Sequence, residues 1–347
     1  MSIEFRKEER VAEFLSPLKG YGLDRQIVEH RYDPLTGRST VITTGRLQLI
    51  KRLFESDDRE ISNIVEKTRG SCPFCPEQLQ HSTPGFPSNI VEEGKIQVGE
   101  ATVFPSLFAH MDHNAIAVLC REHYLELKQL APEKILDGLR AGLIYLKKLN
   151  KTYGKTFYAS YIENYLPLSG STIVHPHMQI LASDLPFGLL GELLEKSREY
   201  RTLRGANFWD DFVNSEDNQS RLLGKVGEIV WLTPFAPTST YEVWGISQEH
   251  SSLLDIGEEV LKSFAVGIAR VLSFYQDEKL SCFNLILYSG ALGDSSDEYF
   301  RLGLRVMGRS GYKFPYVSDL WGLQSLMFEG ESYDTPEDLA QRLRRYF

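Results

Sequence analysis

Two stretches of the chain show the same order of hydrophobic and polar positions. Apolar residues that alternate with polar ones predict strands, and apolar residues that recur every three or four positions predict helices. In the first stretch a strand, a helix and a strand are predicted over about 115–120, 132–150 and 157–162. In the second stretch the corresponding elements are predicted over about 241–246, 257–275 and 283–288. Each stretch is therefore predicted to be a strand–helix–strand unit.

Short polar pairs mark equivalent points of the two units. In the first unit a Gly-Glu pair begins at Gly99, and the histidine of a Glu-His pair, His123, follows 24 residues later. In the second unit the Gly-Glu pair begins at Gly227, and the corresponding histidine, His250, follows 23 residues later. A repeat of this length indicates a duplicated domain, although α/β proteins also alternate in this way without duplication. The pattern predicts an α+β fold of two half-domains, each an antiparallel sheet with one packed helix.

The duplication divides the chain into three predicted segments. Residues 1–186 form the N-terminal half, residues 187–224 a helical and loop linker, and residues 225–347 the C-terminal half. Within the linker a charged helix is predicted over Leu189–Arg204, and the polar stretch Asp210–Ser220 is predicted to be an exposed loop.

The charge of the chain argues against two classes of partner. The 347 residues carry a formal net charge of -9 and no long run of Lys or Arg, which disfavours a general nucleic-acid or anionic-membrane binder. The start of the chain is charged and lacks the apolar stretch of a signal peptide, and no apolar run approaches the ~20 residues that span a bilayer. We expect a cytoplasmic protein with no nucleic-acid or membrane partner.

The four cysteines divide into a close pair and two separate residues. Cys72 and Cys75 form a C-x2-C hairpin, whose geometry lets two thiolates bind one tetrahedral zinc ion. A redox pair and a chance spacing are the alternatives. Cys120 and Cys282 lie in apolar, strand-like runs, so we expect both to be buried and chemically inert.

Histidines of the N-terminal half complete a candidate metal site. Together with the two hairpin cysteines, His123 and His175 supply an S2N2 donor set, which selects zinc over magnesium. His175 and His177 flank Pro176 in a run over 173–180 that is predicted to be a strand, so their side chains should share one face. A lone strand histidine is more often a structural residue, but two beside a proline, in the same half as a C-x2-C, favour a functional site.

Four stretches carry a more specific resemblance. They are Arg31–Gly37 (RYDPLTG), Cys72–Glu77 (CPFCPE), Glu122-His123 before a helix, and Glu163-Asn164 followed by Ser169–Gln179 (SGSTIVHPHMQ). Together they resemble the galactose-1-phosphate uridylyltransferase family, the branch of the histidine-triad superfamily that has two half-domains. The resemblance covers about residues 28–185 well, and beyond 225 it rests on the repeat and on the ending over 335–344.

The resemblance implies a nucleophile and a metal site. In the family the first histidine of His-Pro-His binds zinc and the second attacks the α-phosphorus of a nucleotide sugar, so His175 is expected to be a ligand and His177 the catalytic nucleophile. One structural zinc would be bound by Cys72, Cys75, His123 and His175 and, with four protein ligands, would anchor the strand. A neutral imidazole is an effective nucleophile, and a phosphoramidate would store the nucleotidyl group between the two steps of a ping-pong reaction.

Further residues are expected to bind the substrate. Gln179 is the second catalytic candidate, because it lies on the same face as His177 and can donate to phosphoryl oxygens as charge builds. Arg31 is the expected phosphate-facing cation, with a solvated surface arginine as the alternative. The substrate-binding candidates are Arg31, Ser106, Asn164, Gly170, Ser171, Thr172 and Gln324.

Departures from the family's pattern bear on the substrate and on the metal content. The run over 300–307 lacks the second half's His-x-His, so no second metal is expected. In the sugar-contacting loop over 317–324, Ser318 replaces a lysine and Gln324 a glutamate. In the nucleobase loop Ser106 stands where an asparagine is common. The chemistry is expected to be retained, whereas the hexose is left open.

The leading hypothesis is a nucleotidyltransferase of the UDP-glucose–hexose-1-phosphate uridylyltransferase type. A phosphorylase that splits a nucleotide sugar or a dinucleoside polyphosphate with inorganic phosphate would use the same histidine. A zinc-stabilised nucleotide-binding protein without turnover is the alternative from another class. It is favoured by the missing second-half motif and disfavoured by the presence of His177 and Gln179. The resemblance also implies a homodimer, in which the second half helps complete the neighbouring subunit's pocket.

Overall fold

The computed structural model describes residues 3–293 and 296–347, with all side chains there except those at positions 46, 48, 49, 216 and 217. Its strands are β1 (Lys7–Ser16), β2 (Gly22–Tyr32), β3 (Ser39–Ile42), β4 (Ile96–Val98), β5 (Ala101–Pro105), β6 (His113–Val118), β7 (Phe157–Tyr165), β8 (His177–Ser183), β9 (Leu222–Val226), β10 (Ile229–Leu232), β11 (Glu242–Ser247), β12 (Cys282–Leu292), β13 (Gly303–Arg309) and β14 (Gly330–Ser332). Its α-helices are α1 (Leu47–Phe54), α2 (Asp58–Arg69), α3 (Pro76–Ser82), α4 (Pro132–Tyr153), α5 (Gly188–Arg204), α6 (Phe208–Asn214), α7 (Glu258–Asp277), α8 (Gly322–Met327) and α9 (Pro336–Leu343).

Strands β4–β13 form one large sheet in the order β4-β5-β6-β8-β7-β12-β13-β11-β10-β9. From the outer edge to the centre, the first half has the order β4-β5-β6-β8-β7 and the second half the order β9-β10-β11-β13-β12. The two halves therefore have the same strand order, and neighbouring strands are antiparallel. The predicted α+β fold with duplicated antiparallel halves is therefore confirmed. The halves join where β7 pairs with β12, and there Asn164 lies opposite Asn284.

Helices α4 and α7 cover one face of the large sheet and build the main core with it. Leu146 of α4 is fully buried there, and burial of a side chain of this size stabilises the fold by about 1.5–3 kcal/mol. Each helix has a glycine where a sheet aromatic packs closely. A Cβ at Gly142 would overlap the ring of Tyr161, and a Cβ at Gly267 would overlap the ring of Trp231. The repeat thus extends to the packing of helix on sheet.

The linker is largely helical, and the exposed loop predicted over Asp210–Ser220 is wrong. Helix α5 lies close to the predicted bounds, and α6 follows it after Asn207, whose side chain accepts a hydrogen bond from the backbone N–H of Trp209. The acidic residues that favoured a loop occupy the first turn of α6, where negative charge is stabilising. Phe208, Trp209 and Phe212 are buried in a second apolar cluster on the other face of the sheet. A 3-10 helix over Glu216–Arg221 completes the segment.

A small sheet, β1-β2-β3-β14, lies beside the large one. Strand β14 runs parallel to β3, whereas the other pairs are antiparallel, so the beginning and the end of the chain meet in this sheet. The predicted boundaries after 186 and before 225 stay a prediction. Within the described residues, no helix has the length and apolar character needed to span a membrane.

Candidate active site and metal-binding cluster

Two cysteines and two histidines meet beside the first half of the large sheet. Cys72, Cys75, His123 and His175 are all buried, and one ligand atom of each lies within 4.8 Å of the others. Cys75 Sγ is 3.4 Å from His123 Nδ1 and 3.7 Å from His175 Nδ1, and Cys72 Sγ is 3.8 Å from the same His175 nitrogen. The structure thus brings the four predicted ligands together as a buried Cys2His2 cluster.

The two cysteines are held by a tight turn. The N–H of Cys75 donates to the carbonyl oxygen of Cys72 at 3.4 Å, and α3 begins directly afterwards with Pro76, whose fixed φ suits the first helical position. Between the cysteines, Phe74 packs edge-on against Phe104 of β5, with ring centroids 5.5 Å apart. This apolar contact fixes the hairpin to the sheet face opposite α4.

Both histidines are oriented by contacts to their outer nitrogens. His175 Nε2 lies 2.9 Å from the carbonyl oxygen of Cys120, which can only accept, so Nε2 carries the hydrogen and Nδ1 presents its lone pair to the cysteines. His123 Nε2 lies 3.0 Å from the Thr68 hydroxyl. Such outer contacts are typical of histidines that bind metal ions.

The donor set fits a tetrahedral metal ion. Sulfur and nitrogen ligands about 2.3 and 2.0 Å from such an ion are about 3.5 Å apart, close to the distances between these side chains. Burial and the neighbouring Cys72 raise the pKa of Cys75 to about 12, so a thiolate here requires a cation. Burial lowers the pKa of His175 to about 4, which keeps its lone pair available. The cluster can therefore bind a metal ion.

The thiols of the other two cysteines are not members of the cluster. Cys120 follows β6 and Cys282 begins β12, and both are buried, as predicted. Burial raises the pKa of each to about 12. Such thiols are poor nucleophiles, because the thiolate is the reactive form.

His177 is the first residue of β8, so the strand predicted over 173–180 is wrong at its beginning. Pro176 has no N–H to donate to a ladder, and its carbonyl oxygen accepts from the N–H of Leu119 at 3.1 Å. His177 Nδ1 lies 2.7 Å from the carbonyl oxygen of His175, which can only accept, so Nδ1 carries the hydrogen and Nε2 the lone pair. Burial lowers the pKa of His177, which keeps the ring neutral at pH 7.

A pocket of about 290 Å³ lies beside His177. Its polar lining includes the predicted residues Ser106, Thr172, His177 and Gln179, and its apolar lining includes Phe74, Phe104, Leu107, Phe108, Ile116 and Ile173. His177 and Gln179 alternate along β8 and lie opposite Val118 and Ile116 of β6, so they share one face. The pocket combines an apolar wall with a few convergent polar groups, as small-molecule sites do.

Asn164 lies on β7, the strand next to β8 and His177. The β7–β8 register pairs Ile162 with Gln179, and the same antiparallel register continued by two residues places Asn164 opposite His177. Residues that are directly opposite in an antiparallel pair project to the same face. The structure therefore brings Asn164 to the same face as His177 and Gln179.

The loop over Gly170–Thr172 follows a 3-10 helix and borders the pocket. Gly170 has a φ of 99°, in the left-handed region that favours glycine. The Ser171 hydroxyl donates to the carbonyl oxygen of Ile173 at 2.6 Å. The Ser171 hydroxyl is therefore engaged by the backbone, and the assignment of Ser171 to substrate binding stays a prediction, whereas Thr172 is exposed in the pocket.

Two of the predicted substrate-binding residues lie away from this pocket. Arg31 is 4% exposed, and its Nη1 and Nη2 each donate to Glu337 at 2.9 Å, so it is not a phosphate-facing cation within its own chain. Gln324 lies in α8, where its side chain accepts from the N–H of Trp321 and donates to the carbonyl oxygen of Thr238. No local pattern indicates the partners Glu337 and Thr238, because they lie 306 and 86 positions away along the chain.

The second half contains a different group of potential metal ligands. Glu228, Glu249 and His250 have ligand atoms within 4.8 Å of one another, and His250 Nδ1 lies 2.9 Å from Glu228. These residues belong to the Gly-Glu and Glu-His pairs that mark the repeat, which is the signal that could have found them. The prediction that a second metal is absent, made from the run over 300–307, stays a prediction.

Comparison with known proteins gives relatives over most of the chain. No protein-family model matches it. The sequence is 28% identical to an uncharacterized protein of Archaeoglobus fulgidus over 343 residues, 99% of this chain and 98% of that protein. It is 22% identical to ADP-glucose phosphorylase of Arabidopsis thaliana over 256 residues, 67% of this chain and 69% of that protein.

Solved structures of the same fold cover almost the whole chain. ADP-glucose phosphorylase from Arabidopsis thaliana with bound ADP-glucose matches with a TM-score of 0.69 and 17% identity, over 91% of this chain and 98% of that one. A uridylyltransferase matches with a TM-score of 0.66 and 19% identity, over 91% of this chain and 97% of that one. The chain thus has the duplicated fold of these two enzymes. The fold expected from the resemblance to the galactose-1-phosphate uridylyltransferase family is confirmed.

Proposed function

We propose that the protein transfers a nucleoside monophosphate from a nucleotide sugar through a covalent intermediate on His177. The observation that carries the proposal is the hydrogen bond from Nδ1 to the carbonyl oxygen of His175, which leaves the Nε2 lone pair of a neutral ring at the wall of the pocket. A fixed imidazole of this kind is suited to nucleophilic attack.

The reaction has two displacements at phosphorus. Nε2 attacks the α-phosphorus, an N–P bond forms, and the bond to the bridging oxygen breaks, so that a sugar phosphate leaves. An oxygen of an acceptor phosphate then attacks the same phosphorus, and the N–P bond breaks. The nucleotidyl group is carried on His177 between the two steps, which predicts ping-pong kinetics.

Neighbouring donors stabilise the charge that builds on the phosphoryl oxygens. Gln179 follows His177 on the same face, and Thr172 lines the same pocket. Asn164 lies opposite His177 in the continued register. Preorganised donors of this kind account for much of the rate enhancement when they are aimed at the developing negative charge.

The Cys2His2 cluster would hold one zinc ion, because an S2N2 set selects that metal. With four protein ligands zinc has no open position, and when bound it would supply structural anchoring rather than Lewis-acid chemistry. His175 is both a member of the cluster and the residue whose carbonyl oxygen orients His177. By holding His175, the cluster would therefore also hold the carbonyl oxygen that orients the ring of His177, two residues further along the chain.

A phosphorylase is the second candidate function. The match in sequence and fold to ADP-glucose phosphorylase favours it. In that reaction inorganic phosphate is the acceptor of the second step. The nucleophile and the intermediate are the same in both candidates, so the acceptor alone distinguishes them.

We also propose a homodimer. Large apolar side chains are exposed on α8 and the loop before it, among them Phe314, Trp321 and Leu326, and the β1–β2 hairpin exposes Leu15 and others. Exposed apolar patches of this kind mark interaction surfaces. Light scattering at micromolar concentration should give the mass of a dimer, and a monomer would contradict this assignment.

The covalent step is tested by intact-protein mass spectrometry after exposure to UDP-glucose and to ADP-glucose, with His177→Asn as the control. We expect one nucleotidyl group per chain on the wild-type protein and none on the variant. A chase with inorganic phosphate or with galactose 1-phosphate then shows which acceptor removes the group, because glucose 1-phosphate would remove it merely by reversing the first step. Tight binding of the nucleotide sugar with no adduct and no turnover would identify a nucleotide-binding protein without catalysis.

A further inference from the structure

A polar network, buried at Arg309 and half-buried at Asn284 and Asn164, runs across the large sheet from the second half to the first. Arg309 at the end of β13 forms an ion pair with Asp319, with Nε 2.8 Å from Oδ2, and their side chains are 9% and 2% exposed. Arg309 Nη1 donates to Asn284 Oδ1. Asn284 Nδ2 donates to Asn164 Oδ1 at 2.5 Å and to the carbonyl oxygen of Ser169 at 2.8 Å.

The chemistry of the network fixes the orientation of both amides. A guanidinium can only donate, so Asn284 must turn its oxygen toward Arg309 and its NH2 group toward the other side. The carbonyl oxygen of Ser169 can only accept, which agrees with this orientation. Asn164 must then present its own oxygen to Asn284, so its NH2 group is directed away from Asn284. A donor-only residue in the second half thereby sets the direction of an amide in the first half.

That amide lies beside the proposed nucleophile. The continued β7–β8 register places Asn164 opposite His177, and the β7–β12 register places it opposite Asn284. The three side chains therefore follow one another across the same face of adjacent strands. An NH2 group that is held in this position can donate to a ligand oxygen, and it excludes ligands that offer a donor there.

We propose that Arg309 and Asn284 are positioning residues that fix Asn164 as a hydrogen-bond donor to the ligand, so that the site selects an oxygen acceptor such as a phosphoryl oxygen. This rests on the function proposed above. The second half thus completes the first half's site within the same chain. It does so through β12 and β13, although its own strand from Gly303 to Arg309 carries no histidine.

The substitution Asn284→Asp reverses the amide with little change in shape. A carboxylate at 284 still accepts from Arg309, but it cannot donate to Asn164 or to the carbonyl oxygen of Ser169, and Asn164 must turn its NH2 group toward the new carboxylate. The ligand oxygen then faces the amide oxygen of Asn164. The affinity for UDP-glucose or ADP-glucose, measured by calorimetry, should fall about 10- to 100-fold, as expected for the loss of one hydrogen bond to a charged oxygen. Asn63→Asp, the same change at an exposed position of α2, should leave the affinity unchanged.

A double-mutant cycle separates positioning from a general structural effect. In the Asn164→Ala background no amide remains to be turned. The further change Asn284→Asp should therefore lower the affinity by less than about 3-fold, compared with about 10- to 100-fold in the wild-type background. Losses that multiply in the double variant would overturn the inference, as would wild-type affinity in Asn284→Asp.

The outcomes also distinguish this inference from the proposed function. If the wild-type protein binds the nucleotide sugar but forms no adduct, the covalent mechanism fails and the binding cycle still decides the role of Asn284. If the wild-type protein forms the adduct and Asn284→Asp binds and reacts equally well, the positioning role fails and the covalent mechanism stands. If the wild-type protein binds neither nucleotide sugar, both fail together.

Discussion

The two halves of the large sheet have the same strand order and the same helix on one face, but their other faces are covered differently. On the first half the Cys72–Cys75 hairpin packs through Phe74 and leaves a pocket beside His177. On the second half α5 and α6 pack into the equivalent region, where Phe212 contacts Trp244 with ring centroids 6.2 Å apart. One face is open to a ligand and the other is filled with aromatic side chains.

The difference indicates how the two halves of a duplicated fold can differ in function, with the proposed active site in the first half. The shared sheet and helix faces form the core, and the chemistry depends on what packs on the opposite face. The second half keeps a histidine at the repeat position, His250, but it contacts Glu228, whereas His123 of the first half contacts Cys75. Its strands still supply Asn284 and Arg309 to the polar network that reaches Asn164.

The largest expected effect comes from replacing one histidine of each half by asparagine in a matched pair of variants. His177→Asn should lower the rate of nucleotidyl transfer roughly 10³-fold or more, because the group that forms the covalent bond is lost. His250→Asn, at the repeat position of the second half, should leave the rate within a factor of a few. Rates of product formation at saturating nucleotide sugar check both, and a comparable loss in the two variants would contradict the assignment of the chemistry to the first half.

A second pair of variants compares buried cysteines. Cys72→Ser should abolish stoichiometric zinc and greatly destabilise the first half, because metal binding and folding are coupled at a structural site. Cys282→Ser, at a cysteine of β12 that is equally buried, should retain one zinc per chain. Elemental analysis and thermal unfolding measure both effects. Zinc near zero in the wild-type protein after gentle purification would remove the site.

Helices α5 and α6, which cover the second half, are expected to stabilise the fold without taking part in the chemistry. Trp209 is 2% exposed and packs edge-on against Phe300, so Trp209→Ala should lower the free energy of unfolding by about 3–5 kcal/mol. Its zinc content and its adduct formation should be unchanged at a temperature where the variant is folded. Denaturant unfolding supplies the first quantity, and loss of the adduct in folded protein would show that this face takes part in the chemistry.

The smallest effect concerns the ion pairs that join the beginning and end of the chain. Burial opposes the charge on Glu337, but Arg31 and Arg221 prevail and lower its pKa to about 2. Because the folded pKa lies below the unfolded value of 4.5, this contribution is present above about pH 4.5 and is lost as the pH falls toward about 2. It amounts to at most about 3 kcal/mol. Glu337→Gln should therefore show a shallower loss of stability over this range, and an unchanged acid-unfolding profile would refute the coupling.

Much of the fold and the metal cluster could be predicted because their signals are local. The helix and strand periods of the two units predicted the elements that build the large sheet. The C-x2-C spacing, with one histidine after a strand and one before a proline, identified four side chains that the structure brings within 4.8 Å. These signals depend on residues that are close in sequence or that have few alternative roles.

The remaining features depend on contacts between distant residues. Arg31 is paired with Glu337, 306 positions away, and no pattern near Arg31 indicates it. Helix α6 contains acidic residues typical of a loop, but its aromatic residues pack against β-strands of the second half. Asn284 acquires its role from strand register, since β12 pairs with β7 across the centre of the sheet.

The central claim is that His177 itself carries the nucleotidyl group during turnover. The most direct measurement is tandem mass spectrometry of peptides from wild-type protein that has been exposed to the nucleotide sugar and kept at alkaline pH, where a phosphoramidate survives. The account predicts a nucleotidyl group on His177, formed and discharged as fast as the overall reaction. A group on another residue, or turnover with no modified peptide at any time, would contradict it.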